Sequence, residues 1–223
     1  MPHSAKPSGA RTKRRCGSCA ASESKLRVSK GASLSTNQKV VVWARGKLGQ
    51  KIGRGECWDL GEEALKQAGA STSSDLGPLG ADTDYVWGDA IDISKIEPGD
   101  VLQIRNHVVT TTTVIEYKFK DGSVVTETHE TYAKRGHHTA IVNGKVDADG
   151  RVPTLEQHVK PRGDIVQNMH LYTRDVPEVV TKSTGRYKHP GTRQIERADI
   201  TKKVTITVTG TIWPYHPKAK NAK

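Results

Sequence analysis

Gly53-Arg54-Gly55-Glu56-Cys57-Trp58-Asp59-Leu60 joins a glycine-rich stretch, which starts at Gly49, to a run in which Cys57, Trp58, Leu60, Ala64, Leu65 and Ala68 recur before Gly69. That spacing predicts a helix beginning at Cys57 and stopped by a glycine. A cysteine in the first turn of a helix meets unpaired N–H groups and the positive end of the helix dipole, and both favour the thiolate. Glu56 opposes this through like-charge repulsion wherever its side chain turns inward.

Upstream, Ser35, Thr36 and Asn37 are capping residues before Val40, Val41, Trp43, Ala44 and Leu48, which predicts a first helix at about 38–48. Downstream, residues 71–99 are rich in Gly, Asp, Ser and Pro and read as a long ordered loop anchored by Trp87. Pro98-Gly99-Asp100 then turns the chain into β-type segments at 100–105, 107–119, 123–133, 138–143, 152–159 and 164–173, where Val, Ile, Thr and Tyr concentrate. Asp121-Gly122 between two such runs is a hairpin signal. Helices first and antiparallel strands after give an α+β class. Residues 174–203 are polar and basic with no clear element, and Val204 to Trp213 alternates like an edge strand.

The chain has 223 residues, with Lys and Arg exceeding Asp and Glu by 35 to 24. Residues 1–36 contain Ser, Gly and basic residues without apolar periodicity and read as a mostly disordered cationic arm. The expected organisation is therefore an arm at 1–36, a catalytic-type domain at 37–175 and a basic extension at 176–223. Both basic tails suit an anionic polymer, but they interleave few aromatics, so sequence-specific nucleic-acid readout is not expected. No apolar run reaches the roughly 20 residues of a membrane span, and no secretory signal stands at the start. The expectation is a cytoplasmic protein, or one exported by another route. Three cysteines, an odd count, argue against a disulfide framework. Cys16 and Cys19 make half of a zinc site without a second half, so no metal or other cofactor is expected.

A thiolate needs a base, and the base needs an orienting partner. His138 precedes the apolar run Thr139-Ala140-Ile141-Val142, while Glu156 and His158 share side-chain parity on the next strand and Gln157 points away. Together these residues carry a resemblance. Gly53 to Leu60 resembles the "G-x-G-x-C-x-D-L" nucleophile helix of CHAP-type amidases. Pro98-Gly99-Asp100-Val101-Leu102 is similar to the "PGD" strand of CHAP and NlpC/P60 domains. His138 to Val142 resembles their "H-x-A-I-V" strand, and Leu155-Glu156-Gln157-His158 their "E-Q-N" strand, with His158 in place of the Asn. These motifs fall in the family's order over about residues 38–173. The phrase Gly-Glu-Cys-Trp-Asp-Leu is more similar still to the cysteine-proteinase-fold domain of some fungal cortical actin adaptor proteins.

The resemblance implies a papain-like fold with amino-terminal helices packed on an antiparallel sheet. It implies Cys57 as nucleophile, His138 as base, Glu156 or His158 as its orienting group, and Gln50 as an oxyanion donor. The activity implied is hydrolysis of amide bonds in a peptide or peptidoglycan-like substrate. The competing reading is a catalytically silent papain-like binding module within a larger assembly.

Overall fold

The structure, a computed structural model, describes residues 33–80 and 82–220. The cationic arm, with Cys16 and Cys19, lies outside the described residues except for its last few positions. There Ser35 caps the first helix, α1 (Thr36–Arg45), by accepting from the Gln38 backbone N–H at 3.2 Å. The second helix, α2, runs Cys57–Ala68 and ends on Gly69 in the left-handed region, as its glycine punctuation predicts. The loop that follows holds a short helix α3 (Ser73–Leu76), a two-residue strand β1 (Asp89–Ala90) and a 3-10 turn at Ile93–Lys95.

The strands are β2 (Val101–Phe119), β3 (Val124–Val142), β4 (Arg151–Glu156), β5 (Gln167–Tyr172), β6 (Val176–Lys188) and β7 (Ile195–His216). They form one antiparallel sheet in the order β1-β7-β2-β3-β4-β5, with β6 also paired to β7. The sequence divides β2 in two; it is one strand with a bulge between Arg105 and Val108, and Asn106 bends there at φ 51°. Lys134 to His137 read as a break, yet Lys134, Arg135 and His137 pair with Val108, His107 and Arg105 of β2, so β3 is also continuous.

At one end of the sheet both faces are covered. Val40, Ala44, Leu60, Ala64 and Leu65 of the helices pack with Trp87, Val101, Ile141 and Leu155 on one face. Leu102, Ile104, Ala140, Val142, Val152 and Leu171 form a second cluster. Burial on both faces explains why Val101 to Ile104 shows no alternation. Trp87, fully buried, donates its indole N–H to Gln103 Oε1 at 3.1 Å.

At the other end β6, β7, β2 and β3 extend as a solvated blade. The 204–213 segment, expected at an edge, belongs to β7: it pairs with β2 on one side, and on the other β6 covers it only as far as Ile206 and β1 pairs beyond it at Tyr215 and His216, so 207–213 stay open on that side. The extension after residue 175 is accordingly part of the sheet, and the residues from Leu34 onward form one compact unit. Strand β6 escapes local reading because nearly all of its side chains are exposed, so no two-residue apolar period marks it. The blade is strongly curled: Tyr187 of β6 stacks on Tyr117 of β2 at 3.8 Å and bonds Glu127 of β3, three strands away from β6. His189 ties the two hairpin tips together, its Nε2 lying 3.0 Å from Ser123 Oγ and 3.1 Å from Asp121 Oδ2. Among the described residues no helix is long and apolar enough to cross a membrane.

Candidate active site

Cys57 occupies the first position of α2 because the loop before it is held by side chains on both flanks. Asp59, in the first turn, accepts the backbone N–H of Arg54 at 2.8 Å and of Glu56 at 3.1 Å. Gln157, fully buried, accepts the Ile52 N–H at 2.8 Å and donates to the carbonyls of Ile52 and Glu56 at 3.0 and 2.8 Å. Gly55 makes the turn into the helix at φ +98°, where a side chain would be strained and would strike Asp164.

The distance of α2 from the sheet is set at Gly61. A Cβ there would lie 3.1 Å from both Thr139 Cγ2 and the Trp87 ring, so any side chain would make those neighbours give by a few tenths of an ångström or lift the helix from β3. That approach brings Cys57 close enough to His138 for the imidazole to favour its thiolate. His138 is 5% exposed and its Nε2 lies 3.1 Å from Glu156 Oε2. The structure thus brings Cys57, His138 and Glu156 into one row.

Glu156 is fixed from three sides. Arg135 reaches both of its oxygens at 2.7 and 3.0 Å, and Thr154 donates to Oε1 at 2.6 Å. Arg135 also donates to the His170 carbonyl at 3.1 Å, and His107 stands opposite it on β2. Burial disfavours the Glu156 charge, but the His138 hydrogen bond and the Arg135 charge outweigh it and hold the carboxyl at about 2. Burial also depresses His138, yet its hydrogen bonds and charge interactions with Cys57 and Glu156 raise it to about 9. For Cys57 burial pushes upward, while the His138 hydrogen bond and charge, with backbone N–H groups of Thr139 and Trp58, bring the thiol below its ordinary value. The favoured state of the row is a thiolate beside an imidazolium, backed by a carboxylate.

His158 and Gln50 are placed elsewhere. Strand parity put His158 on the same face as Glu156, but β4 ends at Glu156 and His158 sits in the left-handed region at φ 63°. Its ring turns to the rim, with Nδ1 3.7 Å from Glu56 Oε2. Gln50 is exposed and donates to the Gly46 carbonyl at 3.3 Å rather than facing Cys57. His137 bonds the Thr83 carbonyl at 2.8 Å and lines the cleft beside Tyr85. That cleft, about 510 Å³, is lined by Cys57 together with the apolar or aromatic Trp58, Leu79 and Tyr85 and the polar Arg54, Glu56 and His158.

Sequence reading missed Asp59, although an acid three residues after the cap position is a helix-start signal. It also missed Arg135 and Thr154, for which no local pattern exists.

A family model described as the AIM3/BBC1 cysteine proteinase-fold domain matches residues 30–175, well over half of the 223-residue chain. Searches of curated proteins and of solved structures returned no match.

Proposed function

This chain belongs to the AIM3/BBC1 cysteine proteinase-fold domain family, and from that premise we propose that it is a cysteine hydrolase of amide bonds. Its papain-like fold supplies the scaffold. The observation that supports the reading best is the Cys57–His138–Glu156 row, with its buried carboxylate locked by Arg135 and its cysteine lining an open cleft.

In this mechanism the Cys57 thiolate attacks the carbonyl carbon of a bound amide, and the new oxyanion takes hydrogen bonds from backbone N–H groups at the start of α2. The His138 imidazolium gives its proton to the amine as the C–N bond breaks, leaving a thioester on Cys57 and a neutral imidazole. Water then attacks the thioester; His138 takes its proton, the C–S bond breaks, and the carboxylic acid product leaves behind the thiolate–imidazolium pair. Glu156 holds the ring in orientation and stabilises its charged form. The apolar wall of Trp58, Leu79 and Tyr85 suits an apolar side chain beside the scissile bond. The similarity of Gly53–Leu60 and His138–Val142 to CHAP and NlpC/P60 motifs extends the reading to peptidoglycan-like peptides.

The test is alkylation by iodoacetamide at about pH 6.5, followed by mapping of the modified residues, together with turnover of a peptide-amide library. The proposal expects Cys57 to be modified faster than free cysteine, and His138→Ala to lower turnover by about a hundredfold or more. A Cys57 that reacts no faster than free cysteine, without turnover, sinks it. That outcome belongs to the second reading, a silent binding module, which the position of Gln50 outside the cleft favours because it leaves the oxyanion to backbone donors alone.

A further inference from the structure

The lysine and arginine ion pairs of the described residues, such as Lys51–Asp164, Arg105–Asp82, Arg135–Glu156 and Lys220–Asp75, lie at the end of the sheet that the helices cover. At the far end of the blade Lys118, Lys120, Arg186, Lys188, Arg193 and Arg197 have no acidic partner within 4.0 Å among the described residues. Arg186 and Arg197 are register partners on β6 and β7, so their side chains leave the same face directly opposite each other. Like charges in that position destabilise a sheet. Arg186 finds only the Ile195 carbonyl, at 3.4 Å.

Both arginines line an open cleft of about 640 Å³ together with Lys120 and Thr184. Glu196 is also in the lining, but it alternates to the other face of β7 and accepts the Thr192 hydroxyl at 2.5 Å. A second depression of about 430 Å³ continues past Lys120 and Arg197 to Lys118. The acid there, Asp199, is the register partner of Lys118 on β2 and of Thr184 on β6, and it lies outside the lining of the first cleft.

We propose that this cleft at the tip of the blade binds a phosphate monoester. The two guanidinium forks match phosphate oxygens in pairs, and Lys120 adds a third positive charge against a dianion. The Thr184 hydroxyl completes the donor set. The bound anion converts the repulsion between Arg186 and Arg197 into a bridge across β6 and β7. The cleft is larger than a bare phosphate, so the group arrives on an organic carrier, either a soluble small molecule or a phosphorylated lipid headgroup.

The full chain is titrated with inorganic phosphate and with inositol trisphosphate at constant ionic strength set by chloride, reading the unfolding temperature and the affinity. Both probes are expected to stabilise the protein beyond chloride, and Arg186→Ala and Arg197→Ala each to weaken binding by about tenfold or more. Arg197→Thr is expected to leave the ligand-free protein at least as stable as the parent, because the cross-strand repulsion is gone. Deletion of residues 1–30 leaves binding unchanged. Vesicles of phosphatidylcholine with and without a phosphorylated inositol lipid separate the sources: retention that both arginine variants abolish assigns the lipid, and binding of the soluble probe alone assigns the small molecule. Phosphate no better than chloride, binding that survives both arginine substitutions, or equal retention on phosphatidylserine vesicles lacking a monoester overturns the site.

Discussion

Replacing Glu156 by glutamine keeps the shape of the side chain and removes the charge that Arg135 and His138 face. Arg135 and Glu156 are 5% and 0% exposed, so the arginine is left as a buried cation with no carboxylate. Breaking one side of such a pair costs about 3–5 kcal/mol. The titration of Glu156 gives a similar figure: its displacement from 4.5 to about 2 corresponds to about 3 kcal/mol. The folded-state value is the depressed one, so this stability is present above pH 4.5 and is lost as pH falls toward 2. For a domain of this size Glu156→Gln then lowers the unfolding temperature by roughly 6–20 °C. Urea unfolding followed by tryptophan fluorescence between pH 2 and 7 reads both effects. The parent loses stability through the window from about 4.5 to 2, and the glutamine variant is less stable at pH 7 and has lost that component. Replacing Arg135 by methionine in the same chain recovers part of the loss, since no lone charge remains buried. A glutamine variant as stable as the parent, with the same acid limb, refutes the assignment of an ionised, arginine-locked carboxylate.

Gly61→Val drives side-chain carbons against Thr139 and Trp87; a loss of about 1–3 kcal/mol in urea unfolding and slower Cys57 alkylation are expected as α2 lifts off β3. Gln157→Leu strands the Ile52 N–H and two carbonyls, costing about 1–3 kcal/mol and exposing the amides of 50–56 to faster hydrogen exchange. Trp87→Ala empties the core beneath the site, with a loss of about 3–5 kcal/mol by calorimetry or urea. In the parent the alkylation rate of Cys57 titrates below the thiol's ordinary 9.0; in His138→Ala, where burial acts without the imidazolium, the midpoint moves up. A midpoint indifferent to His138 contradicts the thiolate–imidazolium pair.

What the sequence settled by itself is local. Glycines bracket a helix at Cys57, capping residues start another near Thr36, and Asp121-Gly122 closes a hairpin, because propensity and turn chemistry act over a few residues. The order of Cys57, His138 and Glu156 was readable through motif resemblance. Tertiary structure decided everything that depends on distant partners. Arg135 is polar and looks like a strand break until Glu156 arrives from 21 residues away. Strand β6 has no apolar period because β7 stabilises it through backbone pairing rather than burial. His158 left the row because parity extends only as far as the pleat, and β4 stops two residues short of it. Local periodicity records which face a side chain would take; which partner waits on that face is fixed only when strands far apart in the chain come into register.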